Sequence, residues 1–343
     1  MPVTQNVSII NDPRIVSGLI NQVPIDEGYL WRILVQVELT TGLKWKSRSN
    51  TVRTVMAKLL DVSEKLPFLM KGSAQDREGG FIKLGGSLAI EPEELIGYDA
   101  TGQISAELKR IALSLRTGIE GAIEWITLRG LTGQTLVLDS GVTANMGAVG
   151  SAVTTGTVWT NIAATGIADL ITMMGVSRGL NDAMDPSVII MSRTAWGNLR
   201  NQTATQSMVF STAGAGTVVN DEQLRNLLRT SGLPPIIIYD GMVEVENGTT
   251  FTATRVLPVD IVAMLPSQRK FPEGFARMFV TKLSDQIVNA NKGLVDPQLD
   301  GDNFIYGWVT ERTNPGGYDV NGYSGTGFDL EATSRVCTLD VTP

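Results

Sequence analysis

The 343-residue sequence contains no histidine. Histidine is the commonest general base and a frequent metal ligand. Its absence excludes Ser-His-Asp triads, Cys-His dyads and HExxH zinc sites. The single cysteine, Cys337, excludes an intrachain disulfide and fits a reducing compartment or indifference to redox. No apolar run approaches the roughly 18–20 residues of a membrane span. The opening MPVTQNVSIINDPRI lacks the basic start and apolar core of a secretory signal, so the expectation is a chain made and folded in a cytoplasm. Positive charge is scarce too. The net charge of −7 excludes a protein that coats nucleic-acid phosphate with its whole surface.

Hydrophobic residues make up 43% of the chain, enough to bury a full core, and the length fits two or three domains. Residues 1–35 carry short apolar groups separated by Asn, Asp and Pro. They read as an extended N-terminal arm with at most one helical turn, which needs another surface to bury against. Residues 36–90 differ. WRILVQVEL at 31–39 reads as a strand. Between 40 and 88 nine bases face four acids, +5 in a chain of −7, leaving −12 on the rest. The bases are Lys44, Lys46, Arg48, Arg53, Lys58, Lys65, Lys71, Arg77 and Lys83. TVRTVMAKLLDV and GGFIKLGGSLAI predict a long two-stranded excursion, although the first also fits a helix. Such an excursion is either a solvated basic hairpin or an arm laid across an acidic neighbour.

A long helix is predicted over 104–129. Ile104, Leu108, Ile111, Leu115, Ile119, Ala122, Ile123 and Ile126 recur at steps of three and four, forming one apolar stripe. Gly130 and Gly133 supply a left-handed cap. Glu120 and Glu124 fall off the stripe, where a solvated face is the expectation and a paired-carboxylate site the alternative. Residues 134–160 read as strand segments joined by loops. Residues 161–260 read as an α/β unit. Its expected parts are a helix with Ile167, Leu170, Ile171 and Met174 on one face, the strand PSVIIMS, and helices capped by Ser192 and Asn220. The strand PPIIIYD, a hairpin turning at Asn247-Gly248 and the strand VDIVAMLP complete it. Beyond 265, ARMFVTKL, NFIYGWVTER and SRVCTLDVT read as strands and NPGGYDVNGYSGTGF as a loop.

No site assembles from these pieces. There is no GxxxxGK[ST] and no GxGxxG, and TAGAGTVVN at 212–220 reads as a flexible loop. DPQLDGDN at 296–303 departs from a calcium loop because Gln298 occupies the third position and Gly307 the twelfth. The acidic run Glu91, Glu93, Glu94 reads as a charged loop. The expectation is therefore no catalytic, cofactor-binding or metal-binding set. An arm and an excursion without a site point to a chain whose work is to contact copies of itself, because ordering such extensions requires a partner.

The order of these segments resembles the HK97-type shell fold, most of all the lambda major capsid protein group. ISAELKRIALSLRTGIEGAIEWITLRGLTG resembles that group's spine helix, with Glu120, Glu124, Trp125, Leu131 and Gly133 in place. GGSLAIEPEELIGY, WTNIAATGIADLITMM, DPSVIIMSRTAWGNLRNQ, IIIYDGMVEVENGTTFTATRVLPVDIVAMLP and NFIYGWVTERTNPGGYDVNGY resemble later parts, so most of 80–343 is covered. The resemblance implies an α+β fold with an N-terminal arm (1–35) and an extended loop with flanking strands (36–90). It also implies a peripheral domain (91–160 and 259–343) with the spine helix at 104–129, and an axial domain (161–258). It implies a non-enzymatic major capsid protein of a tailed double-stranded-DNA bacteriophage. It implies that copies of the chain would form pentamers and hexamers of an icosahedral shell in the virion, built in the bacterial host cytoplasm. Portal, decoration or scaffolding proteins and non-specifically contacted DNA are the implied partners, with no membrane. Candidate contacts between subunits are Lys44, Lys46, Arg48, Arg53, Lys58, Lys71, Arg77 and Lys83. The spine would pack through Ile104, Leu108, Ile111, Leu115, Ile119, Ile123 and Ile126. An encapsulin-like compartment is the alternative in the same fold, favoured by an N-terminal helix. A histidine-free α/β enzyme using carboxylates is the distant one.

Overall fold

The structure, a computed structural model, describes residues 13–23, 28–42, 44–50, 74–94, 104–134, 136–137, 143–144, 148–210, 218–247, 250–269, 271, 274–281, 304–313 and 316–342. It is a mixed α+β fold with two principal sheets.

The first sheet is organised on one long strand. Helix α1 is Pro13–Gln22, α2 Trp31–Leu34 and β1 Val35–Thr40. Strands β2 (Trp45–Asn50) and β3 (Ala74–Gly79) form a separate hairpin, and β4 is Ile82–Ile90. The helix α3 is Ile104–Leu131, and the later strands of this sheet are Ala276–Thr281 (β13), Tyr306–Thr313 (β14) and Gly316–Asp329 (β15). Thr326 on β15 pairs with Ile82 on one side and Val280 on the other, so β4 and β13 flank it. The β14 strand continues the β13 side, and β1 runs parallel to β13 as an edge.

The β15 strand corrects the sequence reading, which made this stretch a loop. Its glycines are places of close approach rather than turns. Gly322 lies under Leu115 of α3, and Gly327 lies under the Trp45 indole. The reading of 31–39 as one strand is corrected as well. The first four residues are helical, burying Trp31 and Leu34, and the extended backbone begins at Val35.

Helix α3 has 28 residues, which at 1.5 Å per residue is roughly 42 Å, and it lies across the sheet. Leu108, Ile111, Leu115, Ile119, Ile123 and Ile126 are all buried; Ile104 begins the helix, and its side chain lies outside the described set. The helix ends where Gly133 takes φ +71° and the Gln134 amide donates to the Arg129 carbonyl at 2.8 Å. The arm reading of 1–35 is corrected over its described part. Helix α1 folds back on its own chain, burying Val16, Ser17 and Ile20 against β14 and α3.

The second sheet has the order β7-β16-β12-β8-β9. Strands β5 (Leu136–Val137) and β6 (Thr143–Ala144) pair with each other ahead of β7 (Ser151–Thr154). Then follow α4 (Gly166–Leu180), β8 (Val188–Met191), α5 (Arg193–Asn201), α6 (Thr203–Phe210), α7 (Asp221–Thr230) and β9 (Ile236–Ile238). The hairpin β10 (Met242–Asn247) and β11 (Thr250–Arg255) leads to β12 (Ile261–Leu265), and β16 (Cys337–Asp340) closes the sheet. Strands β7, β12 and β16 thus lie in the sheet of the α/β unit, outside the 161–258 limits read from the sequence. The α/β unit needs them because β8, buried at three of its four residues, requires a partner on each side.

The two helix caps form as the sequence implies. The Ser192 hydroxyl accepts from the Ala195 amide at 3.0 Å, and Asn220 closes a capping box with Gln223. In α4 the inward face is different from the one expected. Met173 is fully buried and Ile171 is exposed, while Ile167, Leu170 and Met174 are buried. In the β10–β11 hairpin Asn247 pairs with Thr250; the turn residues between them lie outside the described set.

Candidate assembly surface

The basic excursion is the feature of the sequence most easily tied to self-contact, and its described part is the β2–β3 hairpin. The register places Lys46 opposite Glu78 and Arg48 opposite Asp76. Lys44 also approaches Glu78, at 3.9 Å. Arg77 points the other way, with Nη1 3.0 Å from the Asp329 carboxylate, which is buried. Arg77 is therefore paired within the chain, and Lys44 and Lys46 lie beside Glu78. Lys83 on β4 is exposed. Arg53, Lys58 and Lys71 lie outside the described residues, as does the Arg48 side chain. TAGAGTVVN, up to residue 217, and DPQLDGDN lie outside them too.

Glu120 and Glu124 overturn the solvated-face reading: both are buried, at 1% and 0% exposure. Glu120 accepts from Arg116 Nε at 2.8 Å and from Arg32 at 3.3 Å. Arg116, also buried, reaches on to the end of α1 through Nη1, 2.8 Å from the Asn21 carbonyl and 3.3 Å from that of Ile20. Glu124 accepts from the amides of Leu30 at 2.8 Å and Trp31 at 2.7 Å. Burial pushes its carboxyl above the ordinary value; a hydrogen bond with Tyr239 and the two amide bonds offset part of that. The two carboxylates do not converge on a cleft. One fastens α1 and α2 to α3, and the other joins α2, α3 and the segment after β9. Their i, i+4 spacing was visible in the sequence, but their partners, about ninety positions away, were not.

At the far end of α3 Arg129 lies over the Trp125 ring and donates to the Arg255 carbonyl at 3.0 Å. Burial lowers the Arg129 pKa, and the Asp260 charge partly restores it. An Arg255–Asp240 ion pair closes the same corner. Cys337 is buried at the start of β16, its thiol pushed up to about 11 by burial, which makes it a poor nucleophile. Among the described residues no three of His, Cys, Asp and Glu group to hold a metal ion, and no helix is long and apolar enough to cross a membrane.

No protein-family model and no curated protein matches this chain. Solved structures do. A phage-related protein from Bordetella bronchiseptica RB50 superposes with a TM-score of 0.56 at 14% identity, covering 97% of each chain. The capsid of Myoviridae phage XM1 gives 0.54 at 9% identity, over 99% of this chain and 98% of that one. A candidate prophage capsid protein of Escherichia coli CFT073 gives 0.55 at 14%, over 96% and 98%. The superpositions cover nearly every residue on both sides, and the chain has the HK97-like α+β fold of phage capsid proteins.

Proposed function

We propose that this chain is a major capsid protein of a tailed double-stranded-DNA bacteriophage, which builds an icosahedral shell from copies of itself. The observation that carries the reading is the end-to-end match to the XM1 capsid chain. The chain's interior agrees with a structural role. Its buried charges are spent on internal fastening, and the two carboxylates best placed for acid–base work are engaged by Arg116 and Arg32 at Glu120 and by the amides of Leu30 and Trp31 at Glu124. In this reading the chain is not an enzyme. The β2–β3 excursion is the extended loop, and the sheet around β15 with α3 is the peripheral domain. The α/β unit is the axial domain gathered into pentamers and hexamers. Placement in the lambda group is supported by the spine-helix ending with Glu120, Glu124, Trp125, Leu131 and Gly133 and by the order of the segments that follow it. Assembly takes place in the host cytoplasm, with a portal, scaffolding or decoration proteins and packaged DNA as partners.

An encapsulin-like compartment is the second reading, and one observation favours it. The N-terminal segment holds a packed helix, α1, where the sequence had implied an extended arm. The test is direct: express the chain, purify it by size, and image it by negative stain. Closed shells support both shell readings, and a monomer or small oligomer under all assembly conditions overturns both. Shells that take up double-stranded DNA with their phage partners support the capsid reading. Shells that instead retain one host enzyme stoichiometrically support the compartment.

A further inference from the structure

The base of the basic excursion is fixed to its own subunit by a clamp that the sequence does not display. Trp45 opens β2 and is buried. Its indole stacks on Phe279 of β13, ring centroids 5.3 Å apart and planes 4° from parallel. Its Nε1 donates to the Gly80 carbonyl at 3.1 Å. Gly79, its cross-strand partner, and Gly327 of β15 lie against the two sides of the ring. A Cβ on either would fall inside the indole's van der Waals envelope. Two residues on, Ser47 is buried opposite Arg77, and Arg77 pairs with the buried Asp329. The Thr281 hydroxyl holds the chain entering β2 by donating to the Gly42 carbonyl at 3.0 Å. The inward face of the hairpin, Trp45, Gly79, Ser47 and Arg77, is therefore a fitted contact. On the other face Lys46 stands opposite Glu78, both exposed.

We propose that Trp45 and Arg77 are positioning residues that set the direction in which the excursion leaves the subunit before any other copy is met. The hairpin base is then part of the rigid body of its own subunit. The proposal rests on the shell reading for its consequence but not for its geometry. A stacked indole and a part-buried ion pair on opposite strands hold a two-stranded ribbon that is marginal by itself.

Hydrogen exchange on dispersed, unassembled subunits tests the geometry, and electron microscopy of assembled particles tests the consequence. The wild-type amides of 45–50 and 74–79 are expected to exchange slowly. Trp45→Ala is expected to speed them at least tenfold while leaving β13 and β15 protected, and to broaden the distribution of particle diameters. Arg77→Gln, which leaves the indole in place, is expected to do the same to a lesser degree. Unprotected 45–50 and 74–79 in wild-type subunits overturn the clamp, as does a Trp45→Ala variant with unchanged exchange. Faster exchange with an unchanged diameter distribution overturns the positioning role. If the wild-type chain forms no shells, the functional reading falls, while the exchange result still decides the clamp.

Discussion

Arg116, halfway along α3, donates from Nη1 to the backbone carbonyl of Asn21 at 2.8 Å while its Nε holds Glu120 at the same distance. One guanidinium thus caps the C-terminal end of α1 and neutralises a buried acid. Removing one member of a buried ion pair costs about 3–5 kcal/mol, because the other is left charged in a dry site. Arg116→Met and Glu120→Ala are each expected to lower stability by about 3 kcal/mol or more in urea unfolding of dispersed subunits. A solvated Glu120 would instead keep Glu120→Ala within about 0.5 kcal/mol, as surface changes do. A result inside that limit would show that the pair is hydrated and the burial misassigned. Arg116→Met with Glu120→Leu should recover part of the loss, but not the cap on α1.

Helix α1 imitates a strand at the edge of β14. The Ser17 hydroxyl both accepts from the Gly307 amide at 2.9 Å and donates to its carbonyl at 3.1 Å. Asn21, one helical turn on, does the same for Ile305, at 3.3 and 2.8 Å. Residues i and i+4 on a helix and i and i+2 on a strand both repeat at roughly 6–7 Å, which lets the two side chains stand in for backbone. Ser17→Ala with Asn21→Ala orphans these groups, at about 1–3 kcal/mol for each one left buried. The amides of 304–309 should then exchange faster, and the bared edge should draw dispersed subunits into irregular aggregates. Exchange at wild-type rates would mean that apolar contact by Val16 and Ile20 suffices to seat the helix.

Glu124 gives a pH dependence with a definite sign. Its carboxyl is raised by burial, so the folded chain keeps the proton at a pH where the unfolded chain has released it. The stability this group contributes is fully present below its unfolded value and is lost as pH rises through the folded one. Glu124→Gln is neutral throughout and does not suffer that loss. The Tm difference between Glu124→Gln and wild type should therefore move in favour of the variant as pH is raised from about 4. Thermal unfolding of dispersed subunits across that range reads it. A difference that stays constant, or moves the other way, would place the ionised carboxylate in a better-solvated site.

Replacing the excursion separates folding from assembly, provided the cut is made beyond the clamp. A Gly-Ser linker in place of 51–73 should leave subunits folded, with an unchanged Tm, and abolish closed shells. A standard interface of roughly 1,600 Å² is at stake when an overlapping element is lost. A linker in place of 45–85 removes the anchoring indole and four residues of β4, and should unfold the sheet around β15. Normal shells from the shorter replacement would show that the excursion does not carry assembly.

The sequence by itself determined the elements whose cause is local. The long helix was legible because α3 has no proline and repeats its apolar residues at three and four. Ser192 and Asn220 announced their helices because a cap is a bond to an amide three residues on. The strands of the second sheet stood out as short apolar runs, and the order of all these parts was enough for the fold. Tertiary structure alone decided the rest. A carboxylate on a polar stripe is solvated or buried according to what covers it, and Glu120 and Glu124 are covered by segments about ninety residues earlier. A glycine-rich run is a loop by propensity, yet β15 is a strand because β4, β13 and β14 pair with it and Leu115 and Trp45 press on its glycines. The charge of the excursion could be counted in the sequence, but which bases are neutralised at home depended on a register that only the folded hairpin sets. Periodicity and capping act over a few residues. Burial, register and charge pairing act between residues that the chain brings together only by folding.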